Sequence, residues 1–201
     1  MSFRYLLSVA CMALLFLACT EDEKDGIIET NSYLPLRVGN YWDYEVVTYK
    51  SSYIRREYVR TTIKRNGDRY YEVVGGPLAV SASIHYDTAY YHIDNNGYVY
   101  CWRTGWENEE NLYRLFASHG DQWSFKSNFG DRATVESFYT TVEIGEKEIP
   151  ECKGYFYDVP MIVDEESTVY LAPGIGCVGT TSMWQVKVLK KAFVNGIEYT
   201  F

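Results

Sequence analysis

Beyond residue 18 the chain is written in residues that suit strands and not helices. Residues 19–201 hold 19 Tyr, 17 Val and 14 Thr against 7 Leu and 7 Ala. Leu and Ala are good helix formers, whereas β-branched and aromatic side chains lose rotamer freedom in a helix and pack well on a pleated, half-buried surface. This surplus predicts an all-β domain.

The order of the residues agrees with the counts. In Val59-Arg60-Thr61-Thr62-Ile63-Lys64 the odd positions are the more apolar, Asn66-Gly67-Asp68 breaks the run, and Arg69–Val74 resumes it, which is a hairpin pattern. Tyr90–Ile93, the turn Asp94-Asn95-Asn96-Gly97 and Tyr98–Trp102 predict a second hairpin. Thr134–Ile144 alternates with Phe138, Val142 and Ile144 on one face, and Gly145-Glu146-Lys147 turns it toward Tyr155–Val159. Near the end, Trp184, Val186 and Val188 oppose Gln185 and Lys187 in parity, and Asn195-Gly196 closes a last hairpin into Ile197–Phe201. Such alternation is expected of antiparallel sheets with one buried face. We expect about nine to eleven strands, with at most a helical turn around Asn108–Leu115. A sheet this wide must curl to protect its edges, so barrel, half-barrel and sandwich are the candidate forms. A single large curved antiparallel sheet, half-barrel or barrel-like, is the form we expect.

At 201 residues the chain holds one domain with a sizeable core. No repeat and no Ser- or Pro-rich linker divides it after the first thirty residues. The formal net charge of −8 disfavours nucleic acid as a partner, because phosphate contacts need a basic face.

The first residues read as an address. Tyr5–Ala18 is a 14-residue apolar run behind a single Arg4, too short to span a bilayer and right for the hydrophobic part of a signal peptide. It ends in Phe16-Leu17-Ala18-Cys19 and gives way to Thr20-Glu21-Asp22-Glu23-Lys24-Asp25. This resembles a bacterial lipoprotein signal with Cys19 as the acylated first residue of the mature chain, although Phe16 stands where an aliphatic residue is usual. An ordinary or uncleaved secretory signal with an incidental cysteine is the alternative. The acidic run after Cys19 is similar to the export signal of Bacteroidetes surface lipoproteins, while any polar tether beside a membrane would also look so. The expected organisation is a signal peptide over 1–18, a flexible acidic tether over 19–31 and one domain over 32–201. Acyl chains would hold that domain at the membrane without a transmembrane helix.

Three segments carry a wider resemblance: Leu34-Pro35-Leu36-Arg37-Val38-Gly39-Asn40-Tyr41-Trp42-Asp43-Tyr44, Leu115-Phe116 with Gly120-Asp121-Gln122-Trp123, and Val169-Tyr170-Leu171-Ala172-Pro173-Gly174-Ile175-Gly176-Cys177-Val178. They resemble landmarks of a broad group of exported bacterial lipoproteins with curved sheets like those of lipoprotein carriers. The resemblance implies export and a curved all-β sheet, and it brings no catalytic residues. Cys177 departs from it, standing where an aliphatic residue is usual.

No motif for chemistry survives scrutiny. Gly174-Ile175-Gly176-Cys177-Val178-Gly179 satisfies G-x-G-x-x-G, but a dinucleotide site needs a helix to start there, and Thr180–Val188 reads as a strand. A glycine-rich bend between paired strands is the better reading, and we expect no cofactor. His92 and Asp94 share a strand face, His85 and His119 stand apart, and half-exposed strand histidines explain them without a metal. Glu109-Glu110 and Glu165-Glu166 read as solvated loop charges, because adjacent carboxylates on an extended strand point apart. Besides Cys19 there remain Cys101, Cys152 and Cys177; an odd count leaves one thiol over, and Cys152–Cys177 is the favoured pair, with buried free thiols the alternative.

The aromatic residues are the one unusual resource. Tyr90, Tyr91, Tyr98, Tyr100, Trp102 and Trp106 crowd one hairpin and the loop after it, and rings with a polar edge can stack on sugars or peptide side chains. A Tyr-rich sheet also arises with no ligand. From Tyr90, Tyr98, Tyr100, Trp102 and Trp106 we expect a binding or accessory lipoprotein, anchored through Cys19 at the outer membrane, facing the cell surface and holding a glycan or joining an envelope protein complex. A carrier of an apolar ligand on the concave face and a hydrolase with a loop-built site are the alternatives; no catalytic signature favours an enzyme.

Overall fold

The computed structural model describes residues 32–78, 87–127, 132–160 and 165–201. The expected signal peptide, Cys19, the tether and His85 lie outside the described residues. What is described is all-β: thirteen strands in one antiparallel sheet. In chain order these are β1 (Tyr41–Thr48), β2 (Ser52–Arg65), β3 (Asp68–Pro77), β4 (Asp87–Ile93), β5 (Tyr98–Arg103), β6 (Glu110–Arg114), β7 (Gln122–Lys126), β8 (Arg132–Ile144), β9 (Lys147–Asp158), β10 (Ser167–Ala172), β11 (Gly176–Ser182), β12 (Gln185–Val194) and β13 (Ile197–Thr200). The sheet runs β6-β5-β4-β3-β2-β1-β12-β11-β10-β9-β8-β7, with β13 hydrogen-bonded to β12.

The count exceeds nine to eleven because the extra strands are short. β6, β7 and β13 have four or five residues, too few to show alternation. β6 lies within Asn108–Leu115, where the sequence suggests at most a helical turn; it is a strand because pairing with β5 outweighs a weak local preference. The predicted hairpins form where the turn chemistry allows. Asn66 and Gly67 have φ of 54° and 93°, the two left-handed residues of a tight hairpin whose twist matches its strands.

The order begins at β6 and ends at β7, so the two edges of the sheet are consecutive in sequence and the sheet nearly closes into a barrel. The junction is made by side chains. Tyr157 on β9 donates its hydroxyl to the carbonyl of Leu112 at 2.6 Å, Tyr155 donates to Arg114 at 3.2 Å, and the Trp123 indole of β7 donates to Asn111 at 3.1 Å. The Lys153 ammonium, 4 % exposed, donates to the carbonyls of Leu115 and Ala117. Carbonyls that an open edge would leave to water are therefore satisfied from across the gap, which blunts the edge.

The interior is filled by side chains. Trp42, Tyr44, Val46, Tyr155, Leu171 and Leu189 are buried in one core, and the segment before β1 inserts Leu34 and Leu36 into it from one end. That insertion is pinned by Asn40, whose side chain donates to the Pro35 carbonyl at 2.7 Å and accepts from the Asn195 amide at 3.0 Å. The landmark segments thus share one end of the barrel: Trp42 donates its indole N–H to the Ile175 carbonyl at 2.6 Å in the β10–β11 turn.

Candidate functional site

Register places the predicted aromatic residues. Tyr90 lies opposite Trp102 and His92 opposite Tyr100, and by alternation Tyr98, Tyr100 and Trp102 share the outward face of β5. Their neighbours on β3 are Tyr70 and Glu72, with Glu72 opposite Tyr90. All of Tyr90, Tyr98, Tyr100, Trp102 and Trp106 are half-buried. Tyr91 has the opposite parity, points inward, and belongs to the core periphery.

The rings form a tilted row, with guanidinium and carboxylate groups between them. Tyr90 and Trp102 have centroids 5.0 Å apart at 38°, Tyr70 and His92 5.2 Å at 34°, and His92 and Tyr100 6.0 Å at 23°. Arg65 lies 4.3 Å above the Trp102 ring, Arg103 5.5 Å above Trp106 and Arg114 4.7 Å above Tyr98. The Trp102 indole donates to the Trp106 carbonyl at 3.3 Å, which draws the β5–β6 loop onto the row. Arg60 forms a two-point pair with Glu72 at 2.6 and 2.7 Å, and the Tyr90 hydroxyl donates to the same carboxylate at 3.1 Å. The hydrogen bond from Arg60 is the largest effect on Glu72 and holds its carboxyl below the usual range, against the opposing effect of burial. The Tyr70 hydroxyl donates to Glu109 at 2.5 Å; burial first, then that bond, raises the phenol well above its ordinary value. Apolar ring faces beside fixed charged hydrogen-bonding groups make a surface suited to a polar ligand with an apolar face.

This arrangement revises the expectation for the carboxylates. Glu109 is tied to Tyr70 and, at 3.4 Å, to Arg65, and Glu110 is 6 % exposed, so neither is a free loop charge. The reason is the unexpected β6, which folds this stretch back against β5. Glu165 accepts the Val159 amide at 2.7 Å. His92 and Asp94 serve the fold separately. The His92 Nδ1 lies 3.1 Å from the Arg69 carbonyl, and Asp94 accepts the amides of Asn96 and Tyr98 in the turn.

A second cluster, inside the barrel, escaped sequence reasoning. Glu57 on β2 accepts from Lys187 of β12 at 3.1 Å and from Arg55 at 3.3 Å, and Arg55 also reaches Asp87 at 3.0 Å. The side chains of Glu57, Lys187 and Arg55 are only 23 %, 13 % and 19 % exposed. Lys187 also lies 4.2 Å from the centre of the Tyr44 ring. Burial alone would push the Glu57 carboxyl up, but the charges of Lys187 and Arg55 outweigh it and hold Glu57 below the ordinary value. Burial likewise favours loss of the Lys187 proton, and Glu57 reverses this and raises its pKa. Glu57, Lys187 and Tyr44, with Tyr91, Tyr113 and Cys177, line a cavity of about 80 Å³. That is room for a few waters and well short of a site for a drug-sized or acyl ligand, which occupies about 300 Å³ or more.

The favoured disulfide does not form. Cys101, Cys152 and Cys177 are all free thiols. β10 lies between β9, which carries Cys152, and β11, which carries Cys177. Two strand spacings are about 9.6 Å, beyond the reach of a disulfide. The Cys152 thiol instead donates to the Ile149 carbonyl at 3.3 Å, and Cys177 to that of Gly179 at 3.6 Å. The glycine motif around Cys177 is the bend between β10 and β11: Gly174 and Gly176 have φ of 72° and 100°, and a strand follows where a dinucleotide site needs a helix.

No protein-family model and no curated protein matches the sequence. Among solved structures the chain is similar to a candidate lipoprotein from Parabacteroides distasonis, with 15% identity over 80% of this chain and 98% of that one and a TM-score of 0.44. It is also similar to a candidate exported protein with a YmcC-like fold from Bacteroides fragilis, with 12% identity over 85% of this chain and 100% of that one and a TM-score of 0.48.

Proposed function

We propose that this chain is an exported lipoprotein, held by an acylated Cys19 at the outer membrane and displayed at the cell surface, whose barrel binds a glycan or an envelope partner through the outward face of β3–β5. The observation that carries this reading is the placement of Tyr90, Tyr98, Tyr100 and Trp102 on one outward face, beside the Arg60–Glu72 and Arg65–Glu109 pairs. Stacking on rings and hydrogen bonding to fixed charges are the two contacts that a sugar, with its apolar ring face and hydroxyl rim, requires. The cavity beside Glu57 and Lys187 is small and holds an ion pair, which counts against it as the seat of an apolar ligand. The test is a glycan array probed with the native protein and with Trp102→Ala and Trp106→Ala. Loss of signal in the variants supports the glycan reading; an array without hits, or hits unchanged by both substitutions, removes it. Membrane fractionation of Cys19→Ala tests the anchor, and a cleaved variant that stays with the membrane refutes it.

A further inference from the structure

The exposed apolar side chains are not scattered evenly. Pairing of β1 with β12 puts Thr48 opposite Gln185 and Val47 opposite Val186, so the β1–β2 and β11–β12 turns lie side by side at one end of the barrel. These turns project Tyr49, Met183 and Trp184, which are 76 %, 66 % and 61 % exposed, and Val47, Ile54 and Val186 continue the patch down the outer surface. A cluster of this kind on a protein surface marks contact with something apolar.

We propose that this end of the barrel docks in the headgroup layer of a phospholipid bilayer. The residue types distinguish the bilayer from a protein partner. Residues 48–52 and 182–186 read TYKSS and SMWQV: one cation and no carboxylate, in a chain whose net charge is −8. Carboxylates of the same end, Glu107 and Glu109 in the β5–β6 loop and Glu165 and Glu166 before β10, lie outside these two turns, so the contact is confined to the turns themselves. Trp and Tyr place an apolar body in the acyl boundary and a polar edge in water, and a lysine beside them keeps its ammonium among the headgroups. Lys50 is so placed, with its ammonium 4.9 Å from the centre of the Tyr49 ring. These side chains also project from turn tips, a convex shape suited to insertion rather than to gripping a partner.

The chain enters at the other end, where the Ser32 carbonyl accepts from Gly174. The thirteen residues from Cys19 to Asn31 extend to at most about 45 Å, and the eight residues of β1 span about 27 Å. A tether held at Cys19 therefore lets the far end turn back onto the bilayer that holds it; this reach rests on the lipid-anchor reading above, and the contact itself does not.

The experiment uses the full chain recovered from membranes and mixed with neutral phosphatidylcholine vesicles whose acyl chains carry bromine, read by tryptophan fluorescence. Quenching in the native protein that falls by at least half in Trp184→Phe, and that weakens in Tyr49→Ser with Met183→Ser, is the expected result. Equal quenching with and without Trp184, or none, overturns the proposal. So does crosslinking of this end to a protein partner without lipid quenching. Flotation of Cys19→Ala separates the two readings. A protein that floats through Cys19 with Trp184 unquenched keeps the anchor and loses the docking end. Trp184 quenching that survives Cys19→Ala keeps the docking end, and flotation of Trp184→Phe that is unchanged by adding Cys19→Ala loses the anchor.

Discussion

The hydroxyl of Tyr157 donates to the carbonyl of Leu112 at 2.6 Å, joining β9 to an edge strand 45 residues away in sequence with no ladder between them. With Tyr155 on Arg114 and Trp123 on Asn111, it makes the junction of the barrel a row of side-chain bonds to backbone carbonyls.

The first prediction concerns that junction. Tyr157→Phe keeps the ring and leaves the Leu112 carbonyl unpaired, at a cost of about 1–2 kcal/mol. Urea unfolding checks the stability. Hydrogen exchange should show the amides of β6 opening faster than those of β1, because only β6 depends on the bond. Uniform protection across both strands would mean that the junction holds without it.

The charged cluster inside the barrel predicts acid sensitivity. The Glu57 carboxyl is held below its ordinary value by Lys187 and Arg55, against burial, so the folded state binds its proton less readily than the unfolded chain. The stabilisation is present above the unfolded value of about 4.3 and is lost as the pH falls through the lower folded value. Urea midpoints measured from pH 7 down to pH 3 should drop, and the drop should be smaller in Glu57→Gln. Removing only the ammonium with Lys187→Met costs about 1–3 kcal/mol at pH 7, since the carboxylate then keeps Arg55 as its one cation.

Free thiols make a direct chemical prediction. Burial pushes Cys101 and Cys152 up to about 11 and raises Cys177 as well. At pH 8 the native protein should therefore resist alkylation, while the unfolded protein, whose thiols sit near about 8.5, should react at all three. Mass spectrometry of the non-reduced protein reads the result. A peptide pair linking Cys152 to Cys177 would contradict the strand order.

Glycine at 176 is required by backbone and by space together. Its φ is 100°, and a Cβ there would lie 3.1 Å from the Trp42 indole nitrogen. Gly176→Ala should cost about 1–3 kcal/mol through strain and through disturbance of the bond from Trp42 to Ile175. Thermal unfolding of the variant checks this, and an unchanged midpoint would show that the turn relaxes freely.

How legible the molecule was depends on how local each signal is. The hairpins at Asn66-Gly67 and Asn195-Gly196 were readable because turn chemistry is a property of neighbours in sequence. The outward row of Tyr98, Tyr100 and Trp102 was half readable. Period-2 alternation groups them, but only the register with β4 and β3 sets Tyr90, Glu72 and Arg60 beside them. β12 shows where alternation misleads. The parity of Trp184, Val186 and Val188 suggests an apolar inner face, yet Val186 is 38 % exposed and Lys187 points into the barrel. Pairing with β1 slips between Asp43 and Tyr44, so the inward positions of β12 change parity along its length, and Lys187 finds Glu57 and Tyr44 facing it.

The sequence by itself determined the all-β class, the curved antiparallel sheet and the crowding of aromatic residues on one hairpin, because composition and period-2 patterning act over a few residues. Only the tertiary structure decided the junction of β6 with the Tyr155 and Tyr157 hydroxyls, the inward turn of Lys187 and the separation of Cys152 from Cys177. Each of these depends on which strand lies beside which, and strand order is settled by the burial of the whole sheet at once rather than by any segment of it.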